Sequence, residues 1–146
     1  MSDIQYNLFE HEDLDEKMFD DIANILHRYL NKFISEEALR KDLKYCTKEG
    51  RTIAALYEDE VIGAVTGVYT PFFDKFHIAH LAVDENFQGQ GIGSELVEKV
   101  IPEDMSPSVH LNTDNPGIEE FYQKLGFQAT HIRYKRIKSG EQKPSD

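Results

Sequence analysis

Three glycines at alternate positions, Gly89, Gly91 and Gly93, separate two apolar segments of the chain. The segment before them, Phe76–Val83, is largely apolar, which predicts a strand covered on both faces. The second segment, Gly91–Ile101, begins inside the glycines and carries its large apolar side chains on one helical face. Because glycine permits positive φ and a close approach to the backbone, the chain is predicted to turn tightly from a strand into a helix here.

Such a turn presents the N–H groups of a helix N-terminus to an anion, and the helix dipole adds to the attraction. The turn therefore predicts a phosphate or pyrophosphate site that needs no basic side chain. The dinucleotide motif would require glycine at Ser94, and the Walker motif would require a lysine after its glycine. The pattern that fits is Gln-x-x-Gly-x-Gly, carried by Gln88, Gly91 and Gly93. A glycine-rich turn without a ligand is the alternative.

The period of the apolar residues predicts the elements of the first half of the chain. After a first strand near residues 3–9, one helical face is formed by Met18, Ile22, Ile25, Leu26 and Tyr29. A second helix follows, with Ser35 as its N-cap and Gly50 at its end, and Cys46 on its apolar side is predicted to be packed rather than reactive. Thr52–Tyr57 and Val61–Tyr69 then predict a β-hairpin.

The last third of the chain predicts a strand over Val109–Asn112, a helix that begins at Asn115-Pro116 and ends at Gly126, and a strand over Phe127–Ile137. The buried face of this helix is predicted to carry Ile118, Phe121, Tyr122 and Leu125. The element order β-αα-βββ-α-β-α-β indicates one α/β domain with a mixed sheet over residues 1–137, followed by a polar tail over residues 138–146.

Composition and charge limit the class of partner. A chain of 146 residues with 40% hydrophobic and 29% charged side chains is typical of one globular domain. Its net charge of −11 disfavours nucleic-acid binding. The acidic side chains crowd the first helix, at Asp13, Asp15, Glu16, Asp20 and Asp21. This cluster indicates a cationic amine as partner, and a surface that serves only solubility is the alternative.

The compartment follows from features that the chain lacks. One cysteine, Cys46, excludes an internal disulfide and indicates reducing surroundings. The first residues show no secretory pattern, and no segment approaches the ~18 apolar residues of a membrane span. We therefore expect a cytoplasmic protein without a membrane partner.

A second motif lies about thirty residues after the glycine turn: Asn115, then Phe121-Tyr122-x-Lys124-x-Gly126-Phe127. With the glycine motif before it, this pattern resembles the two signatures of the GNAT superfamily of acyl-CoA-dependent N-acyltransferases. The resemblance covers residues ~50–130 well, and the first fifty residues match only as two helices. It implies a single-domain GNAT fold, with a mixed, mostly antiparallel sheet flanked by helices.

The resemblance also implies where acetyl-CoA, the cosubstrate, would bind. The pantetheine arm would lie between two splayed strands and pair with the backbone at Leu81, Ala82 and Val83. Asn115 would bond the same arm, and Lys124 would approach a phosphate unless it is an ordinary exposed lysine. The pyrophosphate would lie on the amides of Gln88, Gly89, Gln90, Gly91, Ile92, Gly93 and Ser94.

The reaction implied by the resemblance is direct transfer of an acetyl group to a primary amine, on a small molecule or a protein, within a ternary complex. Tyr122 would be the general acid for the leaving thiolate, and a buried structural tyrosine is the alternative. His77 would relay the amine proton, with His80 or ordered water as the alternatives. On a regular strand His77 is expected to point to the same side as Leu81 and Val83. His80 lies an odd number of residues away, so a regular strand would point it to the other face against a helix, and no metal pair is expected.

Three matters stay open in the sequence. A non-catalytic acyl-CoA sensor is the alternative function, and turnover with a panel of amines would separate it from an enzyme. Only one strand is predicted after Gly126, where the family commonly has two, so a homodimer formed by strand exchange is possible. Ile118 stands where the family often has alanine, which narrows the space at the start of that helix.

Overall fold

The computed structural model of the chain describes residues 3–71, 75–110, 116–130, 134 and 136. The chain divides into two compact units, Met1–Val109 and His110–Asp146. The second unit contains one described helix, α4 (Pro116–Lys124). The elements of the first unit are β1 (Gln5–Glu10), α1 (Glu16–Leu30), α2 (Glu36–Glu49), β2 (Gly50–Tyr57), β3 (Glu60–Tyr69), β4 (Lys75–Val83), a short 3-10 helix (Glu85–Phe87), α3 (Ile92–Val100) and β5 (Ser106–Val109).

The five strands form one sheet in the order β1-β2-β3-β4-β5. Strands β1 to β4 pair antiparallel with their neighbours, and β4 pairs parallel with β5. This arrangement confirms the predicted mixed, mostly antiparallel sheet. The parallel pair follows from the connection, because α3 crosses between β4 and β5 and returns the chain in the same direction.

Helices cover both faces of the sheet. Ala64 of β3 lies in a buried cluster with residues of α1 and α2, such as Ile22 and Leu39. The preceding residue, Gly63, faces the other way, since a Cβ built there would lie 3.3 Å from Leu96 of α3. Because neighbouring strand residues point to opposite faces, α1 and α2 cover one face and α3 covers the other.

The predicted caps and turns of the first unit are confirmed. Ser35 caps α2 by accepting a hydrogen bond from the Ala38 N–H at 3.2 Å. Glu58 and Asp59 join β2 to β3 with positive φ angles of 49° and 65°, as a two-residue hairpin turn requires. Gly50 ends α2, and glycine is required at this position because a Cβ there would lie 2.0 Å from the Gly67 carbonyl oxygen.

The C-terminal elements differ from their predictions. The last strand among the described residues is Ser106–Val109, which shares only Val109 with the predicted strand Val109–Asn112; His110 is in no strand, and residues 111–112 lie outside the described residues. Pro107 thus lies inside a strand, where an edge position tolerates it. Ile118 on α4 is 40% exposed and does not belong to a buried face. In the described part of Phe127–Ile137, residues 127–130, 134 and 136 form no strand, which contradicts the prediction there.

Candidate active site

Strand β4 has two halves with different neighbours. Lys75–Ile78, the paired half, pairs with β3 on one side and with β5 on the other. Ala79–Val83, the open half, pairs only with β3 among the described residues. The side chains of Leu81 and Val83 in the open half are only half-buried although they are apolar. The residues predicted to face the pantetheine arm therefore belong to the open half.

A β-bulge separates the two halves. His80 pairs with Thr66, but Ile78 pairs with Gly67, so Ala79 is an extra residue without a partner position on β3. His77 pairs with Val68, two residues from Thr66, and directly paired residues share a face. His77 and His80 therefore lie on the same face of the sheet. The expectation that they face opposite sides is wrong, because it assumed a regular strand.

His80 packs against α2, as predicted, and both of its ring nitrogens have partners. Nδ1 lies 2.7 Å from Thr66 Oγ1, and Nε2 lies 3.6 Å from the carboxylate of Asp42 on α2. The side chain is only 9% exposed. Burial lowers the pKa of His80, and the nearby Asp42 carboxylate opposes this effect without reversing it. The neutral imidazole is therefore favoured at neutral pH.

His77 lies in the paired half and is half-buried. Its Nδ1 atom lies 3.2 Å from the hydroxyl oxygen of Ser108 on β5. Ser108 is the residue that pairs with His77 across the parallel strands. The Ser108 hydroxyl thus helps to orient the ring. Leu81 and Val83 lie on the α3 face of the sheet, and His77 lies on the other face. The prediction that His77 shares their face is therefore wrong.

The segment between β4 and the glycine turn is fastened on several sides. The Asp84 N–H donates to the Ile62 carbonyl at 2.8 Å, and the Asp84 side chain caps the short 3-10 helix by accepting from Asn86 N–H. The Phe87 ring contacts Tyr57, with centroids 5.2 Å apart. The Gln88 side-chain amide donates to the Val83 carbonyl at 2.9 Å. Gln88 thus closes the loop onto its own strand.

The glycine turn that follows leaves open space. Gly89 and Gly91 have φ angles of +82° and +81°, which explains why glycine occupies both positions. A Cβ at either position would meet no atom within 4 Å. Gly91 is the N-cap of α3, and the N–H groups of Ile92, Gly93 and Ser94 form its first turn. With Gln90 in the turn, the seven residues predicted to hold a pyrophosphate form one continuous loop and helix start.

The second unit contains Tyr122 and Lys124 on α4. Tyr122 is 5% exposed and packs edge-on against Phe121 and Phe127, with centroids 5.0 and 5.3 Å away. Burial raises the pKa of Tyr122 to about 12, so its hydroxyl is protonated at every physiological pH. Lys124 is exposed and lies 3.4 Å from Glu120. Asn115 lies outside the described residues.

The acidic residues at the start of α1 have structural partners that the sequence did not indicate. Asp15 caps α1 by accepting from the Met18 N–H at 2.8 Å. Asp20 pairs with Arg40 at 2.8 Å, and Asp21 pairs with Lys17 at 2.7 Å. A cavity of about 350 Å³ lies beside the remaining two acidic residues and is lined by Asp13, Leu14, Glu16, Phe19, Lys44 and Thr47. These two ion pairs reduce the attraction of the acidic cluster for a cationic ligand.

Two properties of the described residues bear on ligands and membranes. Within those ranges, no group of three or more histidine, cysteine or acidic side chains could hold a metal ion. None of the helices described is long and apolar enough to cross a bilayer. Cys46 is buried, and burial raises the pKa of its thiol to about 11, which agrees with the predicted packing role.

Four residues of this region were missed in the sequence. Arg28 and Tyr29 of α1 bond the segment after β4, Asp42 of α2 contacts His80, and Ala79 forms the bulge. The three contacts join residues far apart in the chain, so no local sequence pattern predicts them. An alanine inside a strand does not indicate a bulge either, although in the structure Ala79 is exposed in an otherwise apolar strand.

The chain is similar in structure to several solved proteins. The chain aligns with aminoglycoside N-acetyltransferase AAC(6')-Iy at a TM-score of 0.74 and 14% identity, covering 95% of this chain and 97% of that one. That protein was solved in complex with CoA, and also with the bisubstrate analogue CoA-S-monomethyl-acetylneamine. A protein of Pyrococcus horikoshii OT3 aligns at a TM-score of 0.72 and 19% identity, covering 89% and 93% of the two chains.

A possible acetyltransferase of Clostridium difficile 630 aligns at a TM-score of 0.68 and 15% identity, with 92% of this chain and 99% of that chain covered. At identities this low, the structural similarity shows a shared fold alone. No curated protein sequence gives a significant match. The sequence profile of the acetyltransferase (GNAT) family matches residues 19–127, more than two thirds of the chain. The chain belongs to the acetyltransferase (GNAT) family, as this match shows, and the sheet with the open half of β4 and the glycine turn agree with it.

Proposed function

We propose that the protein transfers an acetyl group from acetyl-CoA to a primary amine by direct attack within a ternary complex. The observation that carries this proposal is the continuity of the open half of β4 with the glycine turn and the start of α3. That surface offers a strand edge for an amide-containing arm and N–H groups for a diphosphate, in the order in which CoA carries these groups. The solved relative bound to CoA and to a bisubstrate analogue supports the same reading.

The pyrophosphate is assigned to the amides of Gln88–Ser94. The open space beside Gly89 and Gly91 allows phosphate oxygens to approach the backbone, and the first turn of α3 directs its N–H groups outward. This mode of binding uses the helix dipole and needs no lysine, which suits a chain of net charge −11. Asn115 and Lys124 remain proposed contacts to the arm and to a phosphate.

The open half of β4 is assigned to the pantetheine arm and the reacting thioester. In a strand, successive N–H groups point to alternate sides, so every second N–H of Ala79–Val83 points away from β3. One of these N–H groups, near Leu81–Val83, would donate to the oxyanion as the amine nitrogen bonds to the thioester carbon. The C–S bond then breaks, and the electron pair leaves with sulfur as the CoA thiolate.

Tyr122 is proposed as the donor of a proton to that thiolate. The pKa of about 12 keeps the hydroxyl protonated, so the acid form is always present. Transfer to a thiolate whose thiol has an ordinary pKa of ~8.5 would be uphill by more than three pKa units. The apolar surroundings that raise the pKa of Tyr122 would also raise that of a neighbouring thiol, which reduces the difference.

His77 is proposed as the group that accepts the amine proton, directly or through water. An amine with a pKa near ~10.4 is almost entirely protonated at pH 7, so a base must generate the attacking form. His80 is the alternative base, and the bulge places it on the same face as His77. Two observations favour His77: the nitrogens of His80 are occupied by Thr66 and Asp42, and the His80 side chain is almost fully buried.

The acceptor is proposed to be a primary amine on a small molecule or on a protein. Aminoglycoside acetyltransferases among the solved relatives make small-molecule amines the first class to test. The acidic start of α1 gives weaker support than it did in the sequence, because Asp15, Asp20 and Asp21 already have partners. A cytoplasmic location and a homodimer remain predictions.

The experiment is a turnover assay with acetyl-CoA and a panel of amines, which includes a polyamine, an aminoglycoside, an amino acid, a lysine peptide and a free peptide N-terminus. Release of free CoA that depends on one of these amines supports the proposal. A rise in melting temperature with acetyl-CoA but no release across the panel supports the non-catalytic sensor instead. Absence of both the shift and the release contradicts acetyl-CoA as cosubstrate.

A further inference from the structure

Helix α1 makes two bonds, from adjacent residues, to the segment that leads into the glycine turn. Arg28 Nη1 lies 3.2 Å from the Asp84 carboxylate, and the Tyr29 hydroxyl oxygen accepts a hydrogen bond from the Glu85 N–H at 2.6 Å. Both partners stand between the end of β4 and the residues assigned to the pyrophosphate. The end of α1 therefore reaches the one segment that connects the two parts of the proposed CoA surface.

We propose that Tyr29 is a positioning residue for the binding of the CoA diphosphate, with Arg28 in support. The inference rests on the proposed function, since it assumes that the diphosphate lies on Gln88–Ser94. Tyr29 touches neither the thioester nor the amine in this assignment. It acts through the backbone of Glu85, which sets the path of the chain into the turn.

The geometry explains why one hydroxyl has this effect. The Glu85 N–H is at the first position of the short 3-10 helix, where no backbone acceptor within that helix is available to it. Tyr29 supplies the acceptor and is itself held by a helix that buries Ile22, Ala23, Ile25 and Leu26 in the core. The turn is open on one side at Gly89 and Gly91, four and six residues later, since a Cβ at either position would meet no atom within 4 Å. The segment before the turn therefore supplies part of its support.

Arg28 contributes less than Tyr29. The Arg28 side chain is 60% exposed, so its ion pair with Asp84 is screened by solvent and salt. Asp84 also accepts from the Asn86 N–H, which holds its carboxylate without Arg28. The tyrosine bond is shorter and involves the backbone directly, and it is the contact that the test addresses.

The test compares Tyr29→Phe with Tyr45→Phe and the wild-type protein. Each variant loses one phenolic oxygen, and Tyr45 lies on α2, where it is 62% exposed. Loss of the Tyr29 acceptor should raise the CoA Kd and the acetyl-CoA KM about three- to tenfold, the range for one hydrogen bond, with kcat unchanged. Tyr45→Phe should leave the CoA Kd and the acetyl-CoA KM unchanged.

A truncated ligand separates positioning of the diphosphate loop from a general effect on the fold. Pantetheine lacks the pyrophosphate, so its inhibition constant should change less than twofold in Tyr29→Phe if the residue acts through the loop. Equal weakening of CoA and pantetheine, or a CoA Kd that matches the wild-type value, overturns the inference. If the wild-type protein itself binds no CoA, the proposed function fails, and this result is distinct from the other two.

Discussion

The two halves of β4 have similar composition but different surroundings. The paired half is closed on both edges by strands, and Phe76 and Ile78 in it are almost completely buried. The open half has one described neighbour, and its Leu81 and Val83 remain half-buried. The extra residue Ala79 stands at the boundary. Both halves are strand, but only the paired half has described strands on both edges, and the open half is the one to which we assign a ligand.

The largest expected effect falls where the open half leads into α3. Gly91→Glu places a carboxylate in the space assigned to the pyrophosphate, so the affinity for acetyl-CoA should fall by at least about 100-fold. Isothermal titration with CoA measures the change. Gly91→Ala is the matched control, because it has the same strain at φ +81° without the charge.

An affinity for CoA in Gly91→Glu that matches the wild-type value would mean that the diphosphate binds elsewhere. The open half of β4 would then lose its assigned ligand. A loss that is equally large in both variants would point to the backbone conformation rather than to the charge.

The paired half is tested by a substitution that should affect stability and not binding. A Cβ at Gly67 would lie 2.3 Å from the Phe76 ring, so Gly67→Ala should reduce the free energy of unfolding by about 1–3 kcal/mol. Gly63 pairs with Val83 beside the open half, and its nearest contacts are at 3.3 Å, so Gly63→Ala should remain within about 1 kcal/mol of wild type. Urea unfolding measures both, and a reversed order would contradict the comparison.

Tyr122→Phe tests whether chemistry on the open half requires the hydroxyl of α4. Turnover at saturating substrates should fall about tenfold or more, the range for loss of a general acid, while the CoA Kd is unchanged. Since the pKa of Tyr122 is about 12, the wild-type enzyme should show no loss of activity from its ionisation below about pH 11. Unchanged turnover in a single-turnover measurement of the chemical step would leave Tyr122 as a core residue.

The smallest effect concerns the histidines on either side of the bulge. If His77 is the base, kcat/KM should fall on the acid side with an apparent pKa of ~6–7, and His77→Ala should remove or displace that limb. The comparison variant is His80→Ala, which should keep the limb and reduce stability. If the limb follows His80 instead, it should lie below the ordinary histidine pKa, because burial lowers the pKa of His80. A profile that neither variant alters would assign the proton to water.

The lowered pKa of His80 also makes the free energy of unfolding depend on pH. Its protonation favours the unfolded chain, so its contribution to the free energy of unfolding should decline as the pH falls below about 6.5.

The sequence was most informative where local rules decide the structure. The cap at Ser35 and the glycine turn before α3 depend on residues within a few positions, and the structure has both. The bulge at Ala79 was not predicted, since it depends on the match of two strands in length rather than on the residue itself. The face assigned to His77 was wrong for the same reason. The contacts of Tyr29 and Asp42 depend on tertiary packing, which no periodicity describes.

The predicted strand over Val109–Asn112 shows a further limit. Pro107 disfavours a strand in the sequence, but a proline lacks only one donor, and an outer strand can spare it. The acidic residues near α1 indicate an amine partner in the sequence, whereas Arg40 and Lys17 neutralise two of them within the fold. A charge in a sequence does not reveal whether its counter-ion belongs to the same chain.

The buried thiol of Cys46 is a probe of the opening movements of the protein. It is the one cysteine of the chain and lies 5% exposed on the apolar side of α2, with a thiol pKa of about 11. A thiol reagent can therefore label it only while α2 is lifted from the sheet or the chain is unfolded. The labelling rate reports which of these occurs. Slower labelling with saturating CoA would indicate that opening disrupts the ligand site, and an unchanged rate would show that α2 detaches alone.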